Sequence, residues 1–123
     1  MSKLIAALLL VAGTIHLLPL VGVLGGERLN ALYGLMLDEP NLQILMRHRA
    51  VLFGLLGALL VAAAFVPGLR GLALLGGLIS VISFLLLAWS APLYNEALQR
   101  VVVADWVALA SLILAVALHL RSA

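Results

Sequence analysis

The chain predicts an all-α fold, an integral membrane antiparallel four-helix bundle, and three observations carry that expectation. Hydrophobic residues fill 66% of the 123 positions and charged residues 10%. Mean hydropathy is +1.29, far above the range of soluble domains. A helical span takes about 20 apolar residues, so the chain has room for four spans joined by short connections. Proline and glycine fall where such spans would end, and residues 1–123 read as one domain.

The first apolar run, Leu4 to Leu24, follows a single Lys3. It is too long for a signal peptide and lacks a small-x-small cleavage site, so it reads as a retained first helix closed by Gly25 and Gly26. From Glu27 to Asn41 the chain collects acids, Arg28, Tyr33 and Pro40, with Leu29, Leu32, Leu35 and Met36 at helical spacing. That pattern suits a short interfacial helix or loop. The second span runs from Asn41 to Val66, with Pro40 suited to opening a helix and Pro67-Gly68 to closing one. The third covers Leu69 to Ala91 and the fourth Ala97 to Leu120, with Pro92 to Glu96 between them.

Orientation follows the positions of Lys and Arg. Lys3, Arg70 and Arg121 fall on one side without acids, while Arg28 and Arg100 share the other with Glu27, Asp38, Glu39 and Glu96. With Arg47 and Arg49 assigned to the interior of the second helix, both termini are expected in the cytoplasm and the long first connection outside.

Several chemistries are excluded or disfavoured by composition. The chain has no cysteine, so disulfides, thiolate nucleophiles and iron–sulfur clusters are absent. His16, His48 and His119 lie on separate segments without ligand spacing, so no metal site is expected. A sequence pI of 9.7 reflects a net charge of only +2, too little to imply nucleic acid. There is no phosphate-binding glycine loop and no G-x-S-x-G elbow. Small multidrug exporters are of similar length, but they rely on a glutamate in the first helix, where this chain has His16 and no carboxylate.

The polar residues inside the spans are the candidate site, because charge in hydrocarbon is costly and marks function more often than elsewhere. With a rise of about 1.5 Å per residue, His16 lies roughly 12 Å, Arg47 roughly 9 Å and Asp105 roughly 10 Å from the same end of their helices. One polar layer results. Arg47 and Arg49 point nearly opposite ways at about 100° per residue. Arg47 shares a face with Ala50, Gly54 and Ala58, small residues that let helices approach. Arg49 shares one with Phe53, Leu56 and Leu60, which suit lipid. The expectation is therefore that Arg47 points inward to Asp105, while Arg49 and His48 reach lipid headgroups. His16 shares a face with Leu9, Ala12 and Leu20 and suits a bond between helices. On the fourth helix Ala104, Ala108, Ser111 and Ala115 form a small-residue stripe beside Asp105, and Trp106 points away as an interfacial anchor would.

The stretch Tyr33-Gly34-Leu35, Asp38-Glu39-Pro40-Asn41-Leu42 and Ile44 through Gly54 resembles a family of short bacterial membrane proteins, similar to the broader DoxX-like group of four-helix membrane proteins. The resemblance runs the length of the chain and includes Asp105. It implies a bacterial inner-membrane location and, through the wider group, a link to quinone-dependent redox systems. Members often carry the automatic label phosphopantetheine adenylyltransferase. This sequence argues against that activity, because it has no H-x-G-H motif and no alternation of strands and helices.

The leading expectation is a pocket of His16, Arg47 and Asp105, capped by Glu27 and Tyr33, that binds a small or lipidic ligand such as a quinone in an accessory role. No cofactor is expected to be built in, and the bilayer is the expected partner. A second reading is a structural subunit, a homo-oligomer or part of a larger membrane complex, packing through Gly22-x-x-x-Gly26 and Ala73-x-x-x-Gly77. A third is a small enzyme acting on a lipid, with His16 or Asp105 as acid or base.

Overall fold

A computed structural model describes residues 1–24, 30–31, 33–34, 39–91 and 93–122. Four long helices account for nearly all of them: α1 (Ser2–Leu17), α2 (Pro40–Phe65), α3 (Arg70–Ser90) and α4 (Glu96–Ser122). Each is long and apolar enough to cross a membrane, α1 and α3 together with the 3₁₀ residues that adjoin them, as Ser2–Leu20 and Pro67–Ser90. Expected and observed boundaries agree to within two residues at α2, α3 and α4. The first helix departs from expectation, because after Leu17 the chain tightens into a 3₁₀ segment, Leu18–Leu24. Pro19 has no N–H and its ring would crowd the carbonyl four residues back, so a regular α-helix ends where the structure ends it.

The helices alternate up and down in a ring. α1 packs against α2 and α4, and α3 closes the other side between the same two neighbours. The core is built from Ile5, Leu9, Leu60, Val81 and Leu112, all buried, and from alanines where helices cross. Large apolar residues such as Leu55, Leu72, Leu87 and Trp89 face outward, which is the pattern a surrounding hydrocarbon phase requires.

α1 and α2 cross closely at Gly13 and Gly57. A Cβ on Gly57 would sit 3.1 Å from the Gly13 carbonyl oxygen and 2.8 Å from Leu17 Cγ, and one on Gly13 would sit 3.2 Å from the Gly57 carbonyl oxygen. Ala73 and Gly77 serve a similar purpose inside the bundle. Ala73 is fully buried, and a Cβ on Gly77 would meet Leu60 of α2 and Leu112 of α4. That small-residue face, expected to be free for a partner, is thus consumed within the chain. Its counterpart Gly22-x-x-x-Gly26 ends outside the described residues.

Helix ends are held by specific side chains. Glu39 caps α2, its carboxylate accepting from the Asn41 and Leu42 N–H groups at 3.1 Å each. Those backbone bonds, Asn41 first, hold its carboxyl below the usual carboxylate range.

Arg70, counted in the sequence among the charges on the side of Lys3 and Arg121, is only 5% exposed. The turn after α2 is so short that its side chain folds back over the end of that helix. Nε donates to the Ala63 carbonyl at 3.0 Å and Nη2 to the Ala64 carbonyl at 3.0 Å, while Nη1 donates to Ser2 Oγ at 3.1 Å. One guanidinium therefore caps two orphan carbonyls of α2 and ties them to the start of α1. Arg70→Met, which keeps the stem and removes the donors, is expected to cost about 2–3 kcal/mol of stability. Thermal unfolding in mild detergent reads this as a lowered midpoint, and an unchanged midpoint would mean that the capping is dispensable.

Candidate functional site

Toward the end of the bundle where α1 loosens into its 3₁₀ segment, the helices enclose a cavity of about 330 Å³. Its walls are mostly apolar, from Ile15, Leu18, Phe53, Phe84 and Val101, and its polar lining consists of His16, Tyr33, Arg49, Arg100 and Asp105. Five stretches of chain meet here, and four of them present polar groups, each for a local reason.

His16 is 2% exposed. Its Nδ1 lies 2.8 Å from the Ala12 carbonyl and its Nε2 lies 3.2 Å from Ser80 Oγ. A carbonyl only accepts, so in the neutral ring Nδ1 carries the hydrogen and Nε2 accepts from the Ser80 hydroxyl. Both nitrogens are engaged, Nδ1 within α1 and Nε2 on a link to α3, and His16 lines the cavity with both of them already bonded. It also packs beside Phe53, with ring centroids 5.8 Å apart.

On α2 the expected register of the two arginines is reversed. Arg49 turns inward: its guanidinium lies 4.5 Å from the Phe53 ring centroid and 5.3 Å from that of Tyr33, and it donates to the Tyr33 hydroxyl. Arg47 and His48 are exposed, and Arg47 does not line the cavity. The small residues chosen to mark the inner face were partly right, since Ala50 and Gly54 are buried but Ala58 is exposed. The buried stripe runs through Ala50, Gly54, Gly57 and Leu60 and takes in half-buried Arg49 and Phe53 at its flank. Phe53, four residues on, gives the guanidinium an aromatic face.

Tyr33 is 4% exposed and is held by Asn95, whose amide donates to the Tyr33 carbonyl at 2.8 Å and to the Gly34 carbonyl at 3.3 Å. The Asn95 carbonyl oxygen accepts from Leu98 N–H at 2.8 Å, which caps α4. Gly34 turns the chain with φ of 65°, a conformation that favours glycine. Asn95 thus performs two tasks with two atoms. Asn95→Ala should cost about 1 kcal/mol through the lost cap and speed hydrogen exchange around Tyr33. Asn95→Asp keeps the accepting oxygen and loses the donor, so it should free Tyr33 while leaving the start of α4 protected. Equal exchange rates in the two variants would show that cap and tether are not separable.

Asp105 on α4 is 8% exposed and lines the cavity. The stripe beside it behaves as expected, with Ala108, Ser111 and Ala115 buried and Trp106 exposed. No described residue hydrogen-bonds to the Asp105 carboxylate, and Arg49 acts on it through space. No group of three or more His, Asp or Glu side chains among the described residues is arranged to hold a metal.

Of the expected site, His16, Tyr33 and Asp105 come together, Arg49 stands where Arg47 was expected, and Glu27 lies outside the described residues. Comparison with protein-family models, curated proteins and solved structures finds no match. The chemistry of the cavity therefore carries the functional reading alone.

Arg100, Phe53 and Phe84 also line the cavity and were not expected there. Ala97, Arg100 and Ala104 share one helical face at i, i+3 and i+7, adjoining the small-residue stripe, so the signal for Arg100 was present. Arg100 is at the same time exposed, in keeping with its count among the external charges.

Proposed function

We propose that this protein binds a small or lipidic amphipathic ligand in the cavity between its helices, as an accessory protein of a bacterial inner membrane with both termini in the cytoplasm. The observation that carries the reading is a cavity of about 330 Å³ whose walls are apolar and whose polar groups gather around Arg49, Arg100, Tyr33 and Asp105. That volume falls within the range of ligand pockets, about 300–1,000 Å³. A purely structural ion pair would close up on itself, whereas here Arg49 and Asp105 flank open space.

The chemistry on offer is mostly donation. Tyr33 accepts from Arg49 and keeps its own O–H to give, and the guanidinium groups have further N–H donors. Oxygen acceptors on an apolar frame suit this set, and a quinone, with two carbonyl oxygens on a flat ring, belongs to that class. Membership of the DoxX-like group is part of the same proposal and rests on the sequence resemblance.

Native mass spectrometry of the protein released from its own membrane in mild detergent tests the reading. A reproducible extra mass, retained by wild type and by Arg47→Ala but lost from a folded Arg49→Ala variant, is the expected result. Bare protein in repeated preparations, found only with a larger protein partner, would overturn it in favour of a structural subunit.

A further inference from the structure

The proposed ligand site contains one group that an acceptor-only ligand would leave unanswered. Asp105 is more than nine-tenths buried and faces the cavity, yet no described residue donates to it. A carboxylate this far from water is costly to keep without a hydrogen-bond donor, even with Arg49 acting on it through space. Quinone carbonyls would satisfy Arg49 and Tyr33 and give Asp105 nothing, because they only accept.

Charge narrows the answer. Among the described residues that line the cavity, Arg49, Arg100 and Asp105 are formally charged, two positive and one negative, and this excess of positive charge favours an anionic head. A cationic head such as choline would bring its charge against two guanidinium groups. Phosphate oxygens match the planar N–H fork of arginine, and a phosphodiester is a permanent monoanion.

We propose that the head held here carries both a phosphate and a hydroxyl, the pattern of a polyol phosphate, with the phosphate between Arg49 and Arg100 and the hydroxyl donating to Asp105. This rests on the ligand-binding reading above and specifies the chemistry of its head. The apolar lining from Ile15, Leu18 and Phe84 suits attached hydrocarbon, so a membrane glycerophospholipid and a free polyol phosphate are the two sources of that chemistry.

The test compares two lipids that share the phosphodiester and differ in the hydroxyl. Phosphatidylglycerol carries it and phosphatidylmethanol does not. Titrated into delipidated protein and followed by native mass spectrometry, phosphatidylglycerol should be retained about tenfold or more in preference, the value of one donor on a carboxylate. Asp105→Leu should bring the two lipids to parity, and Arg49→Ala should weaken both. Displacement of bound lipid by sn-glycerol 3-phosphate would assign the site to the soluble source, and failure to displace it to the lipid.

Equal retention of the two lipids by wild type overturns the proposal and requires no variant to fold. A preference that persists in Asp105→Leu overturns it as well. If neither lipid is retained but another molecule co-purifies, this inference fails and ligand binding stands. If nothing is retained at all, both fail together.

Discussion

Arg49→Ala is expected to abolish ligand retention and to destabilise the protein by about 2–3 kcal/mol, whereas Arg47→Ala should cost less than about 1 kcal/mol and leave retention intact. The difference follows from what each side chain touches. Arg49 lies over Phe53 at 4.5 Å and over Tyr33 at 5.3 Å and donates to the Tyr33 hydroxyl, while Arg47 is exposed. A desolvated cation–π contact contributes up to about 2 kcal/mol, and the hydrogen bond about 1 kcal/mol more. Arg49→Lys is the informative intermediate. It keeps the charge and loses the flat guanidinium that stacks on both rings, so retention should fall without vanishing. Thermal melts in detergent and native mass spectra on the four proteins decide the matter, and equal losses in the two alanine variants would refute the assignment of Arg49 to the interior.

The second large effect is expected at the crossing of α1 and α2. Gly57→Ala should cost about 1–3 kcal/mol, because the added methyl would meet the Gly13 backbone oxygen at 3.1 Å and Leu17 at 2.8 Å. Leu17 can rotate aside, but the backbone of α1 cannot without widening the whole crossing. Gly71 supplies the control: nothing lies within 4 Å of a Cβ there, so Gly71→Ala should be neutral or stabilise by up to about 1 kcal/mol through helix propensity. If chemical unfolding shows both variants shifting alike, close approach at Gly57 is not what holds the two helices.

The fold was legible because a membrane leaves the backbone few choices. In hydrocarbon every N–H and C=O must be satisfied within the segment, so apolar runs punctuated by Pro40, Pro67-Gly68 and Pro92 translate almost directly into spans. Polar groups inside those spans were legible as a layer, and Asp105 was placed correctly because alanines on one side and Trp106 on the other fixed its face. The arginines were not, since residues two apart both border a broad buried stripe, and small neighbours alone do not say which of them enters it. What decides is the aromatic pair, and half of that pair, Tyr33, comes from a connection whose approach no periodicity encodes. Arg70 was legible as a charge at the end of a span but not as a helix cap, because only the structure shows that a turn as short as Pro67–Leu69 leaves its side chain within reach of the helix it follows.

The ring order of the bundle has a bearing on how the protein is made. Walls of the cavity come from α1 and from α4, the earliest and the latest of these four helices to leave the ribosome, and α4 supplies both Arg100 and Asp105. A chain with three helices inserted has no complete site. Any molecule that fills the cavity therefore binds only after the ring has closed, and acts by mass action on that state alone, adding about 2.7 kcal/mol at a hundred times its Kd. Occupancy would then work as a latch on assembly, with the bilayer's own supply of ligand deciding how firmly the ring stays shut.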